Sequence, residues 1–399
     1  MTVTRVLQMF SAETREKLIS LRHEIHRKPE LSFDERDTAD RLEQALSDLG
    51  LSEIRRVIPT GIAARVPGND PRAPVVAIRG DIDALPIQEE TGAAFESLNA
   101  GIMHACGHDV HAAWTVGAAA LLAEEPPQGD VVVLLQPAEE TGRGASAMIE
   151  AGALDGVVAI FGGHVDMRFE VGEIVAQPGS LAASADEFSV DLEGRGSHAA
   201  RPHEGNDPVV AAAALVTILQ TIVSRRLAPG TPAAVTVAVL EAGRATNVIP
   251  NRARIAGTVR AGNTDTRAKL HEELKRCVAG LAAAYNVSAQ ISINDGTPPL
   301  LNEDSTIGMA REAARELLGD SALVQLPEPN LGGEDFACYL ERVDGSFLRV
   351  GARGPGEAMV PAHTSRFLPA DDSILVGAAV LAQTARRASL SLSQSEETA

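Results

Sequence analysis

Residues 131–140 read Val-Val-Val-Leu-Leu-Gln-Pro-Ala-Glu-Glu, an apolar run of strand length that ends in a turn and two adjacent carboxylates. Two further apolar runs are also followed by polar residues. Residues 75–78 lead into Arg79-Gly80-Asp81, and residues 157–161 lead to His164. Buried strands with polar groups just past their carboxyl ends are typical of an open α/β sheet. Residues 347–350 are predicted as a fourth strand of the same kind.

The middle of the chain has a different pattern. Strand-like segments and two helical segments follow one another in the order β-α-β-β-α-β, at residues 187–192, 208–225, 235–240, 253–259, 266–284 and 288–293. This order predicts a ferredoxin-like unit, with two helices on one face of a four-stranded antiparallel sheet. Helical periodicity also predicts helices over residues 12–28 and 35–49 near the start of the chain.

The predicted fold class is therefore α/β, with an open, mostly parallel or mixed sheet in one domain and an inserted α+β domain. A chain of 399 residues is long enough for two cores. We place the larger, discontinuous domain at residues 1–181 and 297–399, and the inserted domain at residues 182–296. Hinges are expected near residues 179–183 and 296–299.

Composition excludes several classes of protein. The formal net charge of −19 argues against a nucleic-acid surface or a partner membrane with anionic lipids. Three cysteines do not form a disulfide framework and favour a reducing compartment. Residues 1–10 lack the features of a secretory signal, and no segment approaches the length of a membrane span. We therefore expect a soluble, cytoplasmic protein.

Residues 104–111, His-Ala-Cys-Gly-His-Asp-Val-His, contain candidate metal ligands. Cys106 and His108 are separated by one residue, at a turn that enters a helix predicted over residues 110–124, so both can reach one ion. An isolated Cys-x-His of this kind can equally be a packed cysteine beside a surface histidine. The strand-end positions of Glu139, Glu140 and His164 favour a metal site. His104 and His111 are expected in supporting positions.

The paired carboxylates indicate what such a site would do. One ligating glutamate and one that remains a base supply what metal-assisted hydrolysis needs. Asp81 and Asp83 follow the first strand, and Asp81 could orient a ligand histidine or be an ordinary turn residue. Two alternatives stay open: an amidase with Cys106 as the nucleophile, and a metal-binding or dimeric scaffold without catalysis.

Together, four motifs resemble the M20 metallopeptidase family. They are Met103-His104-Ala105-Cys106-Gly107-His108-Asp109, Gln136-Pro137-Ala138-Glu139-Glu140, Asn247-Val248-Ile249-Pro250 and Gly332-Gly333-Glu334-Asp335-Phe336. The branch that they resemble most contains aminoacylases, hippurate hydrolases and the hydrolases of amino-acid conjugates of the auxin IAA. The similarity extends from about Leu21 to Ala379, which is nearly the whole chain.

The resemblance implies a site with two divalent metal ions per subunit, either Zn²⁺ or Mn²⁺, with Co²⁺ and Ni²⁺ as alternatives. The matching positions make the following residues the expected ligands: Cys106, His108, Glu140, His164 and His363. Glu139 would be the general base, and Asp81 would be the family's supporting aspartate. The expected reaction is hydrolysis of an N-acyl amino acid, with a dipeptidase or carboxypeptidase of the same family as the alternative.

The resemblance also assigns roles to the inserted domain, which would be a lid that dimerises. A homodimer is therefore expected, with a higher homo-oligomer as the alternative. His198 matches the lid histidine that polarises the scissile carbonyl, often across the dimer. Asn247 and Arg260 match positions that hold the free carboxylate of the substrate, which an acidic protein can bind only through local positive groups.

One position departs from the family's pattern. After His164-Val165 the chain has Asp166, where many relatives have an apolar or aromatic residue. Our hypothesis is that Asp166 lines the substrate pocket and disfavours purely apolar anionic groups. The alternative is an aspartate in a solvent-facing turn.

Overall fold

The computed structural model describes residues 3–327 and 330–397. The α-helices in these residues are α1 (Val3–Leu7), α2 (Ala12–Arg27), α3 (Arg36–Asp48), α4 (His108–Glu124), α5 (Gly144–Glu150), α6 (Pro208–Arg226), α7 (Thr264–Tyr285), α8 (Asp304–Leu318), α9 (Ala337–Leu340) and α10 (Asp372–Glu397).

The strands of the same residues are β1 (Ile54–Ile58), β2 (Gly61–Val66), β3 (Val75–Asp81), β4 (Val131–Gln136), β5 (Val157–Glu170), β6 (Ile174–Val175), β7 (Gly179–Ala182), β8 (Ala185–Glu193), β9 (Ser197–His198), β10 (Ala233–Ala242), β11 (Val248–Ile249), β12 (Arg252–Ala261), β13 (Ser288–Thr297), β14 (Leu300–Asn302), β15 (Leu323–Val324) and β16 (Asp344–Arg353).

The larger unit, described residues 3–179, 302–327 and 338–397, is built on an eight-stranded sheet. Its strand order is β1-β2-β4-β3-β5-β16-β6-β15. The four strands predicted from the apolar runs, β3, β4, β5 and β16, are the parallel centre of this sheet. Pairing is antiparallel between β1 and β2, between β2 and β4, and between β16 and β6. The predicted mixed sheet is confirmed.

The central elements of the larger unit have apolar sequences and are covered by neighbouring elements on all sides. Every residue of β4 is buried, and α4 is buried from His108 through Leu122. Helices α4 and α10 pack against each other and against β3. A helix without a polar stripe is stable only in such an interior. The site residues at the start of α4 therefore stand on a rigid, fully packed element.

The smaller unit, described residues 180–301 and 330–337, contains a sheet of order β10-β12-β8-β13 in which all neighbours are antiparallel. Helices α6 and α7 pack on this sheet. The predicted ferredoxin-like arrangement is confirmed. Asp207 caps the start of α6 by accepting the N–H of Val209 at 2.8 Å, and Asn263 accepts the N–H of Thr266 at the start of α7 at 2.8 Å.

The chain divides at positions that differ from the predicted boundaries. It enters the smaller unit at residue 180 and leaves it at residue 301, and residues 330–337 also belong there. Sequence reasoning had placed this last segment in the larger domain. The N–H of Ala183 donates to the carbonyl of Gly332 at 2.9 Å, a contact between distant parts of the chain that no local pattern signals. The catalytic and lid roles of the two units stay predictions.

Helix α6 corrects one expectation about membranes. By length and composition it is apolar enough to cross a membrane, although no segment was expected to approach a span. Only 33% of the apolar stretch of this helix is buried within the chain. Leu215, Leu219 and Ile222 are nevertheless fully buried in the core of the smaller unit. The helix thus has one packed face and one open face.

Gly377 of α10 allows the close contact between α10 and α4. A Cβ added at Gly377 would lie 2.2 Å from Cε3 of Trp114, which is closer than any real contact. The ring of Trp114 in turn stacks on the ring of His111, with 4.5 Å between centroids. Packing in the core and the position of a site histidine are therefore linked.

We expect Gly377→Ala to lower the free energy of unfolding by about 1–3 kcal/mol, because overpacking displaces buried groups. Gly308→Ala in α8 is the matched control, since no atom lies within 4 Å of the added Cβ. Helix propensity predicts that the control gains about 1 kcal/mol. Urea denaturation of both variants measures the two changes, and stabilisation by both substitutions would contradict the packing argument.

Candidate metal centre

All the predicted metal ligands come together in the larger unit, with Glu139 and Asp81 beside them. In each of the following groups the candidate ligand atoms lie within 4.8 Å of one another: Cys106 with His108 and His164, Cys106 with Glu140 and His363, His108 with Glu139 and Glu140, and Asp81 with His108 and His111. Because the groups share members, their atoms form a single cluster.

The turn that positions Cys106 and His108 depends on Gly107. Gly107 has a φ of +87° and precedes the first residue of α4. Residues with a Cβ rarely adopt this left-handed conformation. A Cβ at this position would also lie 2.5 Å from Cγ2 of Val165. Glycine thus permits the helix to begin at His108, two residues earlier than predicted, and places the histidine in its first turn.

The hydrogen bonds of His108 fix which ring nitrogen is available. Nδ1 lies 2.9 Å from the carbonyl oxygen of Asp83 and 3.1 Å from Oδ1 of the same residue. A carbonyl only accepts, so Nδ1 carries the proton. Nε2 is buried and has no hydrogen-bond partner among the described residues. Its lone pair therefore points toward the cluster, as expected of a metal ligand with a supporting acceptor behind it.

His164 and His111 are fixed in the same way. Nδ1 of His164 donates to the carbonyl of Val165 at 2.7 Å, which leaves Nε2 toward Sγ of Cys106 at 3.2 Å. His111 is oriented differently, because its Nε2 accepts the N–H of Val165 at 2.9 Å. Its Nδ1 then donates to Asp81 at 2.5 Å. Both nitrogens of His111 are engaged, which agrees with the predicted supporting position.

Asp81 and Asp83 form hydrogen bonds with different histidines. Asp81 binds His111 and also Nη1 of Arg79 at 2.5 Å. Burial opposes its ionisation, but the interactions with His108, Arg79 and His111 hold the pKa of Asp81 well below its usual range. Asp83, which the sequence suggested no more strongly than Asp81, is the residue that bonds His108. The supporting role of Asp81 toward the metals stays a prediction.

The turn from Pro137 to Thr141 presents the two glutamates. Ala138 has a φ of +57°, and a short 3-10 turn begins at Glu139. Oε2 of Glu139 and Oε1 of Glu140 both lie 3.9 Å from Nε2 of His108. Oε1 of Glu140 is buried and has no hydrogen-bond partner among the described residues. Both carboxylates therefore face the cluster.

His363 joins the cluster from a separate loop. It has a φ of +62°, and its N–H donates to the carbonyl of Ala105 at 2.7 Å. Its Nε2 lies 3.5 Å from Oε2 of Glu140. With 54% of its side chain exposed, His363 is the most accessible of the expected ligands. It marks the side from which solvent or a substrate can enter.

These residues fit a divalent metal. The donor set combines a thiol, imidazoles and carboxylates, all types that bind zinc and related ions. Two buried acceptor atoms, Nε2 of His108 and Oε1 of Glu140, have no partner in the described chain. Burial raises the pKa of Glu140 to about 7, and burial together with the charge of Glu140 raises the pKa of the Cys106 thiol. A bound cation favours the ionised form of both groups.

Comparisons with known proteins agree with this geometry. The model for "Peptidase family M20/M25/M40" matches residues 77–387. The chain belongs to this family. N-acetyl-L-cysteine deacetylase of Bacillus subtilis (strain 168) is 40% identical over 352 residues, covering 87% of this chain and 83% of the relative. IAA-amino acid hydrolase ILR1-like 2 of Arabidopsis thaliana is 36% identical over 381 residues, covering 94% and 86%.

A solved structure is similar over its full length. The YXEP protein of Bacillus subtilis, described as a dinuclear metal binding peptidase from the M20 family, matches with a TM-score of 0.85 and 34% identity. The match covers 96% of this chain and 99% of that one. The predicted family and fold class are confirmed. This M20 protein is a metal-binding hydrolase that acts on amide bonds.

Three predicted substrate residues of the M20 enzyme lie in the smaller unit. Strands β9 and β11 pair, and the N–H of Ala199 donates to the carbonyl of Asn247 at 3.0 Å, so His198 and Asn247 are neighbours. Both side chains are exposed. A Cβ added at Gly333 would lie 3.5 Å from Nη1 of Arg260, which is an ordinary contact, so residues 332–336 run beside this guanidinium. The roles of these residues stay predictions.

Asp166 does not occupy the solvent-facing turn that was one of its two suggested environments. It lies inside β5, not in a turn, and is only 8% exposed. Its carboxylate binds Nη2 of Arg168 at 2.6 Å and Nε of the same residue at 2.9 Å. The positive charge of Arg168 offsets the repulsion that Asp166 would exert on an anionic substrate. The proposed effect on selectivity therefore loses support.

Sequence reasoning missed a buried network behind the M20 metal centre. Asp109, next to the ligand His108, accepts from Nε of Arg22 at 2.9 Å and contacts Nδ1 of His26 at 2.9 Å. Nε2 of His26 lies 3.0 Å from Oε1 of Glu89. In the sequence, the segment from Leu21 to His26 is distinguished only as the start of the similarity to the family. Its function is to anchor the first turn of α4 to helix α2.

His104 lies beside this network and outside the ligand set. Both of its ring nitrogens are buried without a hydrogen-bond partner in the described residues, and its ring centroid is 6.2 Å from that of His26. Burial lowers the pKa of His104 to about 4, so the ring is neutral at physiological pH. The supporting position of His104 stays a prediction.

The network makes stability depend on pH. Burial opposes the charge of His26, but Asp109 and Glu89 more than compensate and raise its pKa to about 9. Because the pKa rises on folding from an ordinary value near 6.5, the stabilisation is complete below about pH 6.5 and disappears as the pH approaches 9. The shift corresponds to a contribution on the order of 3 kcal/mol.

We therefore expect wild type to exceed His26→Gln in unfolding free energy at pH 6, and the difference to shrink steadily up to pH 9. Denaturant titrations with chelator present measure the difference without a metal contribution. His23→Gln is the matched control, since His23 is 28% exposed and contacts Asp371 at the surface. A wild-type advantage that stays constant from pH 6 to 9 would contradict a charged His26.

Proposed function

We propose that this M20 enzyme hydrolyses the amide bond of N-acyl amino acids and releases a carboxylic acid and an amino acid. The observation that carries the proposal is the turn at Glu139-Glu140, which presents two carboxylates to one metal cluster. A ligand and a base are thereby supplied side by side. The similarity to a deacetylase and to an amino-acid-conjugate hydrolase supports this substrate class.

We propose that two divalent ions bind, because the candidate ligand groups overlap at Cys106 and a similar structure is dinuclear. Zn²⁺ and Mn²⁺ are the first choices, with Co²⁺ and Ni²⁺ as alternatives. Cys106, His108, Glu140, His164 and His363 would hold them. When bound, such ions polarise a carbonyl oxygen and lower the pKa of a water ligand. A thiol ligand also suits a reducing compartment such as the cytoplasm.

Glu139 is the general base in this proposal. It takes a proton from the water that attacks the amide carbonyl, and it delivers this proton to the nitrogen as the C–N bond breaks. The water oxygen and its second proton remain in the carboxylic acid, and the amine leaves with the proton that Glu139 delivered. Glu139 ends in its starting state, so atoms and charges balance.

His198 is the proposed donor to the carbonyl oxygen. Its Nδ1 accepts the N–H of Ala200 at 3.0 Å, so in the neutral ring the proton is on Nε2. An exposed N–H of this kind can stabilise negative charge that develops on the oxygen. Asn247 and Arg260 would bind the free carboxylate of the amino acid, for which a guanidinium is well suited.

We expect metal-depleted protein to be inactive toward a panel of N-acetyl and N-benzoyl amino acids, and activity to return when divalent metal is added. Glu139→Gln should reduce kcat by about 1,000-fold, which is the contribution of a general base. It should keep its metal, because the expected ligands are unchanged. Amine release and metal content per subunit measure the two effects.

The same assay separates the alternatives. Faster turnover of dipeptides than of N-acyl amino acids would favour a peptidase of this family over an aminoacylase. A chelated enzyme that remains fully active would favour Cys106 as a nucleophile and overturn the metal mechanism. Full turnover by Glu139→Gln with its metal bound would remove the role of Glu139.

We also propose that a second copy of the chain binds along β10. This strand is at the edge of the four-stranded sheet and exposes 40% of Val239 and 48% of Leu240. An exposed apolar edge strand is a template for pairing with another strand. The open face of α6 lies in the same unit and adds apolar surface that water does not favour.

A double substitution, Val239→Lys with Leu240→Lys, should convert a dimer into a monomer, because charges on an edge strand prevent pairing. Sedimentation equilibrium measures the mass. The matched control is Val158→Lys on β5 of the larger unit, where the side chain is 43% exposed and the dimer should persist. A wild-type protein that sediments as a monomer would overturn the proposed homodimer.

A further inference from the structure

Glu35 occupies the N-cap position of helix α3 but does not cap the helix. Its side chain makes no hydrogen bond to the first turn of α3. The amide groups of that turn are satisfied by Glu30 instead, which accepts the N–H of Asp37 at 3.2 Å and that of Thr38 at 2.8 Å. An N-cap side chain usually accepts from its own helix. Glu35 is therefore available for another contact.

That contact is with the turn that presents the two site glutamates. Oε1 of Glu35 accepts the N–H of Ala138 at 2.9 Å, across 103 positions of sequence. The side chain of Glu35 is fully buried, and Oε2 has no hydrogen-bond partner among the described residues. A carboxyl group in the interior is costly when it is only partly satisfied. Helix capping does not account for this placement.

Ala138 is the point where this contact matters for the site. It is fully buried and has a φ of +57°, which residues with a Cβ seldom adopt. The next two amides, of Glu139 and Glu140, donate to Asp83 at 3.1 and 3.0 Å. Three successive N–H groups are thus held by two buried carboxyl groups. Loss of the first bond would release the strained residue.

We propose that Glu35 is a positioning residue that holds Ala138 in its left-handed conformation and thereby aims Glu139 and Glu140 at the metal cluster. It acts through the backbone of Ala138 and is not one of the expected ligands. Its effect on turnover rests on the proposed amidohydrolase function. Its effect on the backbone does not.

The requirement is for an acceptor of the right length, not for a charge. Burial, together with the charge of Asp83, raises the pKa of Glu35 to about 7 against the backbone hydrogen bonds that lower it. A neutral carboxyl group still accepts the N–H of Ala138 through its carbonyl oxygen. Glutamine has the same oxygen at the same reach, whereas aspartate keeps the charge and is one methylene shorter.

Glu35→Gln and Glu35→Asp therefore test the inference as a pair. Glu35→Gln should keep kcat within about threefold of wild type, since both form the bond. Glu35→Asp should lower kcat by about 100-fold with KM nearly unchanged, because a small displacement of a catalytic group has a cost of this size. Hydrogen exchange of a peptide spanning residues 136–141 should be about tenfold faster in Glu35→Asp alone.

Glu30→Ala is the matched control, because it removes the caps of α3 and leaves Ala138 untouched. It should lower the melting temperature without changing kcat or exchange at residues 136–141. Wild-type kcat and exchange in Glu35→Asp would overturn the inference. A Glu35→Gln variant that is as impaired as Glu35→Asp would also overturn it. If Glu35→Asp does not fold, hydrogen exchange of residues 136–141 in Glu35→Gln is the test, and exchange faster than in wild type would overturn the inference. If wild type hydrolyses no N-acyl amino acid, the proposed function fails, and the exchange measurements still decide this inference.

Discussion

The positions of the other groups in the metal centre depend on the hydrogen bonds of one carboxylate, that of Asp83. It accepts the hydroxyl of Ser32 at 2.7 Å and the N–H groups of Glu139 and Glu140, and it lies 3.1 Å from Nδ1 of His108. These partners come from three segments that are distant in sequence. Burial opposes its charge, but these hydrogen bonds hold the pKa of Asp83 below its usual value. One buried anion thus sets the positions of two expected ligands and of the expected base.

Much of this arrangement was predictable because parallel strands place their carboxyl ends at the same edge of a sheet. The ends of β3 and β4 lie in register, with Asp81 opposite Gln136. That geometry explains why apolar runs followed by polar residues pointed to the site. The two ligands of the Cys-Gly-His sequence could be predicted from local sequence, because the glycine permits the turn that brings them together. His363 was found only through the family resemblance, because a lone histidine in a loop carries no pattern.

What could not be predicted depends on side-chain direction and on contacts between distant segments. Asp81 is the last residue of β3 and Asp83 lies beyond the strand, and no pattern in the sequence shows that the first binds His111 and the second His108. Glu35 looked like an ordinary residue at the start of a helix. The exposed face of α6 was also missed, because its burial is decided by the sheet against which it packs.

Backbone strain is concentrated where the site needs it. The described residues other than glycine with positive φ are Phe33, Ala138, Asn286 and His363. Asn286 ends helix α7, where this conformation is common. The others belong to the site or to the segment that leads to Glu35. Each costs about 1–2 kcal/mol, and an ordinary hydrogen bond contributes about 0.5–1.5 kcal/mol. The buried bonds at Ala138 and His363 are thus of the size needed to offset much of the cost of conformations that the local sequence disfavours.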